Sequence, residues 1–259
     1  MSTLGLQFRS REDVSPVDVE VPKPSSEPAR APKVRSVRPF VGGVGPDAPE
    51  GPQAVLIEDY PPYGVTRSHF HAVDQYHIFF GSEGSWYQRS PIPALGVHYA
   101  DAYATYGPFG TDEVSLTFFA LRATPSRMIA YMPESRDQLK YRGRRHAFLD
   151  VGEALVLASN DEESQWTDLI QEHDDGLHAE VARMAPGASI DLPPLPDPSP
   201  GRYIFIAAGD LVQGDMHHAE GCLAWDPGDV PAGPLYAGAR GCNLLVLQMP
   251  QCTVPSEYQ

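Results

Sequence analysis

Proline and glycine interrupt this chain 27 and 23 times in 259 residues, and no other feature restricts the fold as much. Proline removes a backbone donor and clashes with the preceding turn of a helix, while glycine marks turns, so long helices have little room. After Pro52 the apolar residues come in short runs: AVLIEDY, QYHIFF, SWYQR, GVHYADAY and VSLTFFALRA. They are rich in β-branched and aromatic side chains and bounded by Gly or Pro, as antiparallel strands of a sandwich or barrel are. The expected class is all-β.

The stretch beginning VSPVDVEVPKPSSEPARAPKV, from about Val14 to Val37, mixes Pro, Ser and both charge signs without an apolar period. It is expected to be an extended or disordered arm. ESQWTDLIQEHDDG reads as a short helix, with Trp166, Leu169 and Ile170 on one face, Ser164 or Thr167 as cap and Gly176 as terminator. A second β-rich block follows: HAEVARMAPGASIDL, GRYIFIAAGDLVQG, EGCLAWDPGDVPAG and GCNLLVLQMP. Its signals repeat the order of the first, with Gly187 standing where Gly64 stood, so two related β units are the economical reading. The expected divisions are an arm over 1–51, a first barrel over 52–132, a connection containing the helix over 133–178, and a second barrel over 179–259.

A formal charge of −15, with no dense Lys/Arg stripe, opposes binding to nucleic acid or an anionic membrane. The N-terminal residues lack the apolar core of a signal peptide and no apolar run is long enough to span a bilayer, so a cytoplasmic protein is expected. Cys222, Cys242 and Cys252 are too few and too clustered for a disulfide framework and read as reduced core residues. GRRHAF, from Gly143 to Phe148, reads as a solvated basic loop.

The chemistry concentrates in GVTRSHFHAVDQYHIFFGSEG, from Gly64 to Gly84. His69, His71, Gln75 and His77 share strand parity, which aims four polar side chains into one interior. A His-x-His pair on a strand chelates a divalent ion when neighbouring strands supply further ligands. Arg67 has the same parity and is a candidate contact for a substrate carboxylate.

This run resembles the first motif of the cupin superfamily, G-x5-H-x-H-x3,4-E-x6-G. Gly64, His69, His71, Gln75 and Ser82 follow its order. The glycine lies one residue closer, Gln replaces Glu, and Ser82 replaces the second Gly between Gly81 and Gly84. The second block, with AAGDLVQG and CLAWDPGD, is similar to a cupin too, so the resemblance implies two jelly-roll barrels in tandem, a bicupin. It also implies a histidine ligand from a later strand. His98 is the histidine available there, with Tyr106 nearer the usual position, and His98, Tyr106 or water completes the site. The implied set is His69, His71, Gln75 and His98 on the metal, His77 and Tyr106 as acid or base, and Arg67, Phe79 and Trp86 around the substrate.

A neutral His/Gln shell suits an anionic or enolate-forming small molecule. Iron(II) is favoured, with zinc, nickel, manganese and copper as alternatives. The implied activity is that of an iron(II) oxygenase; a Lewis-acid isomerase, decarboxylase or lyase, or a non-catalytic binding bicupin, are the alternatives. In the second block Leu192 and Pro194 fall where His69 and His71 stand, so that barrel is expected to lack the metal site. His217, His218 and Glu220 read as a solvent-facing turn and strand. Bare jelly-roll edges favour a homodimer.

Overall fold

A computed structural model describes residues 6–20, 34–45, 47–60, 64–140, 144–159, 162–229 and 232–251. The architecture is nearly all strand, with two single-turn 3₁₀ segments at Arg136–Gln138 and Gly152–Leu155. Among the described residues no helix is long and apolar enough to cross a membrane. The chain forms two compact units, one built on residues 15–151 and the other on 152–251 together with 6–14.

The N-terminal unit contains a seven-stranded antiparallel sheet. Its spatial order is Val17–Glu20, Val34–Val41, Gln53–Tyr60, Leu116–Arg122, Gln75–Phe80, Gly96–Ala100 and His146–Asp150. A four-stranded sheet is made by Val65–Thr66, Phe109–Thr111, Ser85–Tyr87 and Ser90–Pro91, and His69–Phe70 pairs with Ala130–Tyr131. Phe79 and Phe118 of the large sheet share one buried cluster with Tyr87 and Phe109 of the small one. Alternation explains this: inward residues of both sheets interdigitate, and aromatic rings fill the space between.

The C-terminal unit is a seven-stranded antiparallel sheet. Gln165–Ile170, His178–Met184, Leu235–Gln248, Arg202–Gln213 and Met216–Ala219 lie side by side. Ser189–Ile190 pairs with the third of these and Leu223–Asp226 with the fourth. The pairing of the two long strands shifts register between Ile206 and Ala208 and again between Gly209 and Leu211. Such bulges bend strands and let one sheet curl over its core. That core is aliphatic: Ala182, Met184, Ile204, Ile206, Leu244 and Val246 are buried together, with Leu6 and Phe8 added from the N-terminal segment. Leu192, at the place of the first motif histidine, packs against this cluster.

Two expectations are corrected. The segment read as a helix is the strand Gln165–Ile170, antiparallel to His178–Met184, with Trp166 opposite Ala182. Trp166 buries part of its ring on the aliphatic core from the strand, and pairing with a neighbour outweighs local helical spacing. Gly176 does adopt a positive φ of 81°, but in the hairpin turn between these strands. Of the arm, expected to be extended or disordered, Val17–Glu20 and Val34–Val41 are extended and pair as strands, and Arg9 bridges to Leu223. Residues 21–33 lie outside the described residues. The basic stretch is also not a loop, because His146–Asp150 is a strand and Arg145 hydrogen-bonds the buried Asp101 carboxylate.

Cys222 and Cys242 are buried free thiols, and burial pushes Cys242 up to about 12. Cys252 lies outside the described residues. His217 is exposed on the strand Met216–Ala219, whereas His218 packs against Phe8 with ring centroids 5.0 Å apart.

In the C-terminal unit Arg202 and Asp226 form a deeply buried ion pair at 2.8 Å, with both side chains about 5% exposed or less. Removing one partner leaves an uncompensated buried charge, so Asp226→Ala should cost about 3–5 kcal/mol in urea unfolding. Glu50→Ala, which breaks a solvent-exposed pair with Arg127, should cost no more than about 1 kcal/mol.

Candidate metal centre and its hydrogen-bond network

The polar side chains that converge inside the N-terminal unit do not come from one strand. His69 lies in the short pair with Ala130–Tyr131, the chain bends after His71, and Gln75 opens a strand of the large sheet. Two sheets therefore supply the site. The main chains of His69 and Tyr106 exchange two hydrogen bonds, of 3.1 and 3.0 Å, and this two-way bridge sets their side chains beside each other. On the large sheet, Gln75 and His77 share a face with Phe79, and His77 lies directly opposite His98.

The hydrogen bonds settle the tautomers of His69 and His71. His69 Nδ1 is 2.7 Å from the Arg67 carbonyl oxygen, and His71 Nδ1 is 2.6 Å from that of Met128. A carbonyl only accepts, so each Nδ1 carries the proton and each Nε2 is left with a lone pair. Imidazoles oriented in this way through a main-chain carbonyl are ready to ligate a metal. Ser126 Oγ sits 2.6 Å from the same His71 nitrogen. Among the described residues no hydrogen bond reaches Nε2 of His71.

At the centre lies the Tyr106 hydroxyl. It donates to His69 Nε2 at 2.8 Å and accepts from Gln75 Nε2 at 2.7 Å. Gln75 Oε1 in turn accepts from Arg122 Nε at 3.1 Å, and Arg122 also donates to Gln53 Oε1 at 2.9 Å. The guanidinium fixes which way the Gln75 amide faces. A second chain runs beside the first, with His77 Nδ1 and His98 Nδ1 3.0 Å apart and His98 Nε2 3.2 Å from the Tyr87 hydroxyl. One proton must lie between the two Nδ1 atoms, since two bare lone pairs would repel.

Burial keeps all four imidazoles neutral, with exposures of 2% for His69, 8% for His71, 2% for His77 and 0% for His98. Loss of solvent, reinforced by the Arg122 charge, lowers His69 from 6.5 to about 4. His71, His77 and His98 are driven well below the ordinary value, again chiefly by burial. Burial raises the Tyr106 phenol far above its usual range and Tyr87 to about 12, so both remain hydrogen-bond donors.

The structure brings together His69, His71, Gln75, His77, His98 and Tyr106. Phe79 lies beside His77, with ring centroids 5.5 Å apart and planes tilted by 34°. The Arg67 side chain is engaged by Glu134 at 2.7 Å and by the Met132 carbonyl at 2.6 Å, and its own carbonyl accepts from His69 Nδ1. Trp86 and Tyr87 leave the strand on opposite faces, and Tyr87 is the one that reaches His98. Arg122, Gln53, Tyr87 and Ser126 are network members that motif spacing did not mark. A signal for Arg122 existed, because LTFFALR continues the inward face of Phe118 and Ala120 to position 122. A cavity of about 440 Å³ lies against this region, lined by Tyr87, Ser90, Pro91, Pro93, His146 and Phe148.

As a place for a divalent ion, the donor chemistry fits at His69 and His71, which are neutral, buried and oriented. Gln75 and His98 are hydrogen-bonded to Arg122, His77 and Tyr87 instead. Among the described residues no three of these histidines bring ligand atoms within 4.8 Å of one another.

No protein-family model and no curated protein matches this sequence. Solved structures do match. A protein of Nostoc punctiforme inferred to be a dioxygenase covers 98% of this chain and 86% of its own, at 11% identity and a TM-score of 0.64. An E162A mutant of oxalate decarboxylase from Bacillus subtilis covers 98% and 80%, at 9% identity and 0.57. Bacterial pirin from Escherichia coli, in complex with nickel(II), covers 95% and 100%, at 9% identity and 0.53. These are cupin-fold proteins, and the fold of this chain is the cupin fold. Its two β units fit the two-barrel form of that fold, and at such identities the likeness is one of fold.

The neutral imidazoles make stability pH-dependent with a definite sign. Their folded pKa values lie below the unfolded 6.5, so the unfolded chain takes up protons first and stability falls as pH drops below about 6.5. For His69, shifted to about 4, the loss amounts to about 3 kcal/mol once pH is below 4. Urea midpoints of the metal-free protein across pH 7.5 to 4 should fall accordingly, and His77→Phe should flatten that slope. A midpoint independent of pH over this range would contradict the neutral cluster.

Proposed function

We propose that this protein is a metal-dependent cupin enzyme, with an iron(II) oxygenase acting on a small organic molecule as the favoured form. One observation carries the reading: two buried, neutral imidazoles, His69 and His71, each held through Nδ1 by a main-chain carbonyl so that Nε2 is presented inward. Solved structures of the same fold include a protein inferred to be a dioxygenase and a nickel(II) complex, which agrees with this reading.

His69 and His71 would hold the ion, with Gln75 and His98 as the further candidates once released from their present hydrogen bonds. A bound divalent metal supplies polarisation of substrate oxygen atoms and, as iron(II), reactivity with dioxygen. The chain's own groups then have distinct tasks. Tyr106, held protonated, donates a hydrogen bond to an electron-rich oxygen and turns from His69 to do so. Tyr87 donates to His98 Nε2, so His98 gives its Nδ1 proton to His77 Nδ1, and His77 is held neutral with its Nε2–H available to donate to a substrate oxygen. Arg122, fixed by Gln53 and Gln75, biases the interior towards a substrate that is anionic or becomes so. The cleft beside Tyr87 and Phe148 is the route by which an apolar or aromatic body would approach. Phe79 and the rings around it exclude water from the interior.

A second reading, a non-catalytic small-molecule-binding bicupin, draws on the closed network in which Tyr106 already satisfies His69 and Gln75. Protein purified without a histidine tag and loaded with iron(II) anaerobically separates the two. The enzyme reading expects about one tightly held metal lost in His71→Ala, substrate-dependent oxygen uptake, and a Tyr106→Phe variant that keeps its metal while kcat falls about 10²-fold or more. Iron content unchanged by His71→Ala would rule out the site, and metal without oxygen uptake would favour Lewis-acid chemistry.

A further inference from the structure

The aliphatic interior of the C-terminal unit gives way to charge at one end of its sheet. Asp168 and Glu180 stand directly opposite one another on the antiparallel pair Gln165–Ile170 and His178–Met184. His178 is two residues before Glu180 and so shares its face. Ligand atoms of the three residues all lie within 4.8 Å of one another, and no other such trio occurs among the described residues.

The arrangement is unfavourable on protein groups alone. Like charges directly across a strand pair repel, and Glu180 is 95% buried by the complement of its 5% exposure. Among the described residues its carboxylate makes no hydrogen bond or ion pair, although it points into the group. His178 Nε2 is bound to Asp168 Oδ1 at 2.9 Å, so the two carboxylates share its one imidazole. Arg202, whose charge acts on Glu180 less than that of His178 does, is held by Asp226 at 2.8 Å and by the Pro193 carbonyl at 2.6 Å. Burial, with Asp168 and Glu172 adding to it, raises the Glu180 carboxyl against the opposing pull of His178 and Arg202. Two carboxylates that share one imidazole, one of them on a side chain withdrawn from most of the solvent, are short of positive charge.

We propose that Asp168, His178 and Glu180 form a divalent metal site of their own in the C-terminal unit, apart from the motif positions that Leu192 and Pro194 occupy. Two carboxylates and a neutral imidazole offset the charge of one dication, and the mixed oxygen and nitrogen donors suit zinc or manganese. The pairing of Asp168 with Glu180 shifts register just after Asp168, and a bulge there re-aims the side chain. Asp168 is exposed and Glu180 buried, which leaves an entry path on the solvent side and room for water ligands. The site does not depend on His69 and His71.

Its test uses the full chain, stripped with a chelator and dialysed, then titrated with zinc chloride and separately with manganese chloride. Bound metal per chain is counted after gel filtration, and thermal midpoints are followed with and without metal. Wild type should retain one more zinc or manganese ion per chain than Glu180→Gln, and part of its metal-dependent rise in midpoint should vanish in that variant. Without metal, Glu180→Gln should unfold at a higher midpoint than wild type, since the repulsion is gone. Asp168→Asn, at an exposed position that does not endanger folding, should lose the same equivalent. Equal metal counts and equal metal-dependent shifts in wild type and Asp168→Asn, with either ion, would overturn the proposal.

Discussion

Two hydrogen bonds from imidazole Nδ1 to main-chain carbonyl oxygens govern the interior of the N-terminal unit. Without them His69 and His71 would be free to choose either tautomer and either ring orientation, and the lone pairs would not be aimed anywhere in particular. With them, the polarity of the site is set by backbone geometry, the least adjustable part of the fold. The Arg67 carbonyl comes from the residue two before His69, and the Met128 carbonyl from the segment leading into the strand that pairs with His69–Phe70. The same short strand pair therefore positions both rings.

Around this anchor the polar groups are paired rather than left to water. Arg122 is 8% exposed, yet its guanidinium spends two donors on the amide oxygens of Gln75 and Gln53. A glutamate at position 75 would have formed an ion pair there; the amide instead leaves the guanidinium charge acting on its surroundings, where it helps keep His69, His71 and His77 neutral. Such a network is costly unless complete. Completion here passes through one phenol, Tyr106, which accounts for its place at the centre of a cluster otherwise made of rings.

Much of this was legible from residue spacing. Parity alone placed Gln75 and His77 on one inward face, and the His-x-His pair with them, because strand alternation leaves few choices. Spacing could not show that the chain bends between His71 and Gln75, so that two sheets rather than one present these groups. Nor could it decide whether Trp86 or Tyr87 faces inward, since neighbouring residues on a strand are equivalent until a core exists. Arg67 shared the right parity but found Glu134, a partner 67 residues away. The segment 164–176 has helical spacing and a terminating glycine, and only the opposing strand His178–Met184 turns it into a hairpin. Asp168, His178 and Glu180 were invisible for the same reason: their proximity is a matter of register across that hairpin, and no motif records it.

The account stands or falls on the protonation state of two rings. Long-range ¹H–¹⁵N correlation spectra of the metal-free protein, labelled at the histidine ring nitrogens, report it directly. His69 and His71 should appear as neutral Nδ1–H tautomers at pH 7, and their Nε2 resonances should shift together when one equivalent of diamagnetic zinc is added. Nε2–H tautomers, or Nε2 signals indifferent to zinc, would contradict it.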